Sequence, residues 1–199
     1  MSIAAGGTGA ACPDPGVISI WVLGRFAVRR GEADIPLREF GGRLAQQLLR
    51  LLALQRGALL PKDVIAGALW PQHPPTRPRA NIEVLVSRIR RALGDRTLIQ
   101  TGPGGYCLAG DGRCQVDAEA FLDAVQAGRH ALGARPAEAL TCFREALCLW
   151  RGEPLAEDAY ALWAQDERQC LALAYLEALE GAAAAALDAG DPADAVSYA

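Results

Sequence analysis

The sequence is poor in the residues that carry enzymatic chemistry. Histidine occurs only twice, at His73 among prolines and at His130 in a helical stretch. Two isolated histidines make neither a metal site nor a catalytic pair. No Ser/His/Asp set and no GxxxxGK[ST] nucleotide motif is present, so no enzyme, cofactor or metal is expected. The six cysteines (12, 107, 114, 142, 148 and 170) include no CxxC pair. Without a secretion signal they are expected to be reduced thiols of a cytoplasmic protein. Residues 1–16 lack the basic start and apolar block of a signal peptide and are expected to form a loose tail. No unbroken apolar run approaches the roughly 20 residues of a membrane span. The Ala-rich 182–187 stretch suits a packed helix, so no membrane partner is expected.

What is present can build a core: 51% of residues are hydrophobic and 22% charged. The net charge of −3 conceals a division. Residues 17–114 hold 15 Lys and Arg against 7 Asp and Glu; residues 115–199 hold 5 against 15. This division implies a basic domain, suited to phosphate, followed by an acidic one that phosphate would repel.

Alternation of Ile18, Ile20 and Val22, then of Phe26 and Val28, predicts strands within 17–37. Leu44, Leu48, Leu51 and Leu52 predict a helix over 41–57, and "LPKDVIAGALW" a second over 60–70. Prolines 71, 74, 75 and 78 exclude a helix from 71–78. A third helix follows over 79–94, then a hairpin over 96–108 with "GPGG" at its tip. That tip precedes Tyr-Cys-Leu in an extended segment, which argues against a phosphate cradle. Strands, three helices and a hairpin, in that order, are the parts of a winged helix-turn-helix.

From 116 the pattern is helical: 116–133, 136–150, and 160–190 as one helix or as two joined near Gly181. "PAEAL" at 136–140 recurs as "PADAV" at 192–196. Ala139, Phe143 and Ala146 have the small–aromatic–small spacing of a tetratricopeptide helix. The second copy stops at Ala199, so the helical half is expected to be incomplete. The expected fold is an α+β winged helix-turn-helix followed by an all-α tetratricopeptide-like domain. Its expected parts are a tail at 1–16, a winged helix at 17–114 and a helical domain at 115–199. Trp70, Trp150 and Trp163 are expected to anchor their helices in the core.

The helix at 79–94 carries the functional signal. At 100° per residue, Ile82, Val86, Ile89 and Leu93 form one apolar stripe. Ala80, Glu83, Val84, Ser87, Arg88 and Arg91 lie opposite, combining small residues with arginines that reach base edges or phosphates. Arg77 and Arg79 stand at its start, and Arg90 flanks the stripe. A basic amphipathic helix alone is often a solvated face. The adjoining turn, hairpin and positive charge favour double-stranded DNA.

"ALW…PP…ANIEVLVSRIRRALG…LIQTGPGGYCL" resembles the OmpR-type winged helix. Together with "VDAEAFLDAVQAG…ALCLWRGEPLAEDAYALWAQDERQCLALAYLEALE", it resembles the SARP family of antibiotic regulatory activators, over about 17–199. The resemblance implies a transcription activator that binds direct-repeat promoter DNA, associates with further protomers on tandem sites, and engages RNA polymerase. It matches Glu83, Val84, Ser87 and Arg88 to base-facing positions and Arg90 and Arg91 to basic positions suited to phosphates. Thr101 and Tyr106 match typical wing residues. Gly102 and Cys107 stand where many relatives have Arg, which weakens wing contact to DNA. Leu85 stands where His is frequent, and its position beside the stripe points to packing. The loop at 71–78 matches one that can touch polymerase, and also reads as a stiff connector. The competing reading is a protein-interaction scaffold whose winged helix serves as a platform without sequence-specific DNA binding.

Overall fold

The computed structural model describes residues 16–55 and 57–198. The expected tail at 1–16 therefore lies outside the described residues, apart from Gly16. Two small sheets bracket the first three helices. β1 (Ile18–Trp21), β2 (Ala27–Arg30), β3 (Ala33–Asp34) and β7 (Cys114–Val116) form one sheet in the order β3-β2-β1-β7. β4 (Leu60–Pro61), β5 (Ile99–Gly102) and β6 (Gly105–Leu108) form the other, in the order β4-β6-β5. Between them pack α1 (Arg43–Leu54), α2 (Lys62–Leu69) and α3 (Pro78–Leu93).

Each helix follows its sequence signals. α1 buries Leu48, Leu49, Leu51 and Leu52. α3 takes Pro78 in its first turn, where a missing N–H costs nothing, and stops at Gly94 in the left-handed conformation. The second helix is shorter than expected. Leu60 and Pro61 are extended and pair with Tyr106 and Gly105 of the wing, so that helix begins at Lys62. The hairpin pairs Ile99 with Leu108 and Thr101 with Tyr106, its tip at Pro103 and Gly104.

The helical half comprises α4 (Asp117–Ala131), α5 (Pro136–Leu149), α6 (Leu162–Asp188) and α7 (Pro192–Val196). α6 is continuous through Gly181, which resolves the choice between one helix and two. Ala139, Phe143 and Ala146 are all buried. Phe143 is the wedge of this half: a Cβ on Gly128 of α4 or on Gly181 of α6 would overlap its ring. Glycine there lets three helices close on one aromatic side chain. Trp150 stacks on Tyr175 with centroids 4.4 Å apart and meets Phe121 at 5.4 Å. It is half-buried, as are Trp70 and Trp163, and all three pack against the core.

By length and composition α6 is long and apolar enough to cross a membrane, although it holds no unbroken apolar run of that length. Glu177 and Glu180 break its apolar runs without making the segment polar. In the fold its buried stripe, including Leu171, Ala178, Ala182 and Ala185, belongs to the core shared with α4 and α5.

The halves meet through a polar seam. β7 pairs in parallel with β1, and the Asp117 carboxylate accepts the N–H groups of Val22 (2.8 Å) and Leu23 (3.1 Å). Arg151 donates to the same carboxylate at 2.5 Å. Burial pushes the Asp117 carboxyl above its ordinary value against the opposing pull of these donors. Deeper in, Arg50 of α1 pairs with Asp158 at 2.5 Å, the two side chains 1% and 0% exposed.

Candidate nucleic-acid interface

α3 is held by one face and open on the other. Ile82, Val86, Ile89 and Leu93 are buried, and so is Leu85, whose packing role was expected. Ala80, Glu83, Val84, Ser87, Arg88 and Arg91 are exposed along the opposite face. Val84 is 49% exposed, an aliphatic side chain offered to solvent between polar neighbours. No side chain caps the first turn of α3, so its leading N–H groups remain open to an acceptor.

The basic residues around this face differ in their commitments. Arg77 and Arg91 are exposed and form no side-chain hydrogen bond or ion pair among the described residues. Arg88 lays its stem on Gly41, where a Cβ would come within 3.1 Å of its Cδ, and donates to the Gly41 carbonyl at 3.3 Å. Gly41 also has a φ of 76°, so glycine serves both turn and contact. Arg79 forks onto Asp63 of α2 (3.0 and 3.1 Å), and Glu83 accepts from Lys62 at 2.7 Å. These pairs are exposed and exchangeable, so both arms can turn to an incoming ligand.

Arg90 is committed elsewhere. It donates to the Ile99 carbonyl at 2.6 and 3.1 Å and to the Thr101 hydroxyl at 2.9 Å, tying α3 to the wing. Its role in the free protein is a brace, which the reading of Arg90 as a phosphate ligand did not anticipate. Tyr106, matched to a typical wing residue, is enclosed. It is 4% exposed, in register with Leu60 and Thr101, with the Lys62 ammonium 5.5 Å from its ring. Thr101 is exposed beside it. The site residue missed from sequence is Lys62. It lies 21 positions from Glu83, a separation that gives no local signal. Arg38 and Arg96 add exposed cations without a side-chain partner among the described residues. Among those residues, no group of three His, Cys, Asp or Glu could hold a metal.

Residues 42–108 match the family described as transcriptional regulatory protein, C terminal, and residues 116–199 match the bacterial transcriptional activator domain. The two matches lie side by side in the order that the sequence suggests. The chain belongs to the SARP family of transcriptional regulators. It is 32% identical to the regulatory protein AfsR of Streptomyces coelicolor, over 92% of this chain and 18% of AfsR. It is 28% identical to the transcriptional regulatory protein MoaR1 of Mycobacterium tuberculosis, over 71% of this chain and 47% of MoaR1. The solved structure of Mycobacterium tuberculosis EmbR in complex with a low affinity phosphopeptide superposes with a TM-score of 0.81 at 26% identity. That match covers 90% of this chain and 48% of EmbR. This SARP-family chain thus spans less than half the length of each of these relatives. Its winged helix followed by a helical domain is the architecture that EmbR shares.

Proposed function

We propose that this SARP-family regulator is a sequence-specific DNA-binding activator, with a winged helix at 17–114 and an activation domain at 115–199. The observation that carries the reading is the open face of α3. Val84, Ser87 and Arg88 project from a helix whose other side is locked into the core. Such a face enters a major groove with apolar, hydroxyl and guanidinium groups for base edges. Arg77 and Arg91, without side-chain partners among the described residues, supply phosphate contacts, and Arg79 joins them on leaving Asp63. Glu83 selects among bases, while Thr101 contacts the backbone at the wing. Arg90 and Tyr106 act one step back, holding the wing to α3.

The acidic helical half faces protein rather than phosphate. We assign it contacts to RNA polymerase and to a second protomer on a tandem site, within the cytoplasm and without catalysis. The test is binding to duplex DNA across a salt series, followed by transcription with purified polymerase from the bound duplex. A steep fall of affinity with salt, and transcription that depends on the regulator, are expected. Salt-independent binding, or bound promoters that stay silent, would count against the reading.

A further inference from the structure

Where the first sheet meets the helical half, Trp21 stands in a setting that the proposed DNA contact leaves unused. β1 alternates, so Ile18 and Ile20 face the core and Trp21 faces outward, half-buried. Two guanidinium groups lie over its ring: Arg151 at 4.2 Å from the centroid and Arg29 at 5.4 Å. Beside it opens a cleft of about 450 Å³, walled by Trp21, Arg25 and Arg151 over apolar Phe26, Ile35 and Leu37. Arg25 is exposed and forms no side-chain hydrogen bond or ion pair among the described residues. Asp34, on the rim, is matched by Arg29 at 3.0 Å. Glu32 and Asp34 balance Arg29, and Asp117 balances Arg151, so the cleft offers the indole edge beneath two guanidinium groups, an apolar floor and, at Arg25, one arginine without a side-chain partner among the described residues.

We propose that this cleft binds a small organic anion with a flat aromatic body, its ring against Trp21 and its carboxylate or phosphate on Arg25 and the outer edge of Arg151. The chemistry follows from the walls. A flat ring gains from the indole and from guanidinium stacking, and an anion is the natural partner of an uncommitted arginine. The volume fits a ligand of one or two rings. The position gives the site a consequence. Arg151 comes from the helical half and is fixed by Asp117, whereas Trp21 and Arg25 belong to the first sheet and its turn. A bound anion bridges the two, which makes the cleft a place where a metabolite could set how firmly the halves are joined.

The experiment uses the full chain labelled with nitrogen-15 at its indoles. The four tryptophans give four indole signals, and Trp21→Phe identifies the relevant one. The probe is 2-naphthoate, compared with the uncharged 2-naphthalenemethanol. The Trp21 signal is expected to move saturably with naphthoate. Arg25→Ala, an exposed change outside the core, is expected to weaken binding about tenfold, and the alcohol to bind weaker by a similar factor. A Trp21 signal that stays put at roughly 5 mM naphthoate would overturn the proposal. So would equal affinity of the wild type and Arg25→Ala, or of acid and alcohol.

Discussion

The arginines of α3 and those of the seam between the halves are the same residue type put to opposite uses. On α3, Arg77 and Arg91 end in solvent, and Arg79 is held by an exposed pair that water can replace. At the seam, Arg50 is enclosed with Asp158 at 2.5 Å, and Arg151 is held on Asp117, the carboxylate that also takes the Val22 and Leu23 N–H groups. Burial makes the difference. An exposed guanidinium costs little to leave free and is available to phosphate; a buried one must keep its partner or destabilise the fold. Loss of a seam arginine should therefore unfold the protein, and loss of a surface one should silence it.

The seam breaks first. Arg50→Ala strands the Asp158 carboxylate in the core and should cost about 3–5 kcal/mol in urea unfolding. Arg50 Nη1 and Asp158 Oδ1 lack partners even in the intact pair. The double change Arg50→Met with Asp158→Leu should therefore restore most of the loss. Within the helical half, Gly128→Ala or Gly181→Ala drives a methyl into the Phe143 ring and should cost about 1–3 kcal/mol by thermal unfolding.

The α3 arginines sharpen the contrast. Arg90→Ala frees the wing and should cost about 1–2 kcal/mol, because three hydrogen bonds donated by a charged guanidinium are lost at a partly open site. Its neighbour Arg91→Ala should leave stability unchanged and lower DNA affinity while reducing the salt slope by about one. A thermal midpoint lowered by Arg90→Ala and unmoved by Arg91→Ala would establish that burial rather than charge separates the roles.

The smallest effect is chemical. Burial raises the Cys114 thiol to about 12, whereas Cys148 and Cys170 are exposed. A raised thiol pKa means less thiolate at a given pH. Alkylation at about pH 8 should mark the two exposed cysteines quickly and Cys114 slowly, with its rate rising as pH climbs.

Local patterns carried much of this architecture into the sequence. The α1 and α3 helices were readable from periodicity and the Gly-Pro-Gly-Gly tip from turn chemistry, whereas the Ala-rich α6 was legible only as helical, as one element or two. What escaped was non-local. β7 is three residues, Cys-Gln-Val, with no alternation to mark it, and it exists because β1 offers a parallel edge. Leu60 and Pro61 read as a helix start, yet their backbone is claimed by the wing. Within "LLRLL" nothing marks Arg50 as the buried member of a pair whose partner lies 108 residues away. The face of α3 was legible because helical geometry alone defines it. The commitments of its arginines were not, since Gly41, Asp63 and Ile99 reach them only in the folded chain.

The most direct test is selection from a random duplex pool by the wild type, followed by binding of Arg88→Ala to the enriched motif and to unrelated duplex. The account predicts a repeated motif, loss of preference for it in Arg88→Ala, and an unchanged melting temperature in that variant. Equal preference for the motif with and without Arg88, or no motif at all, would contradict the claim that the open face of α3 reads DNA.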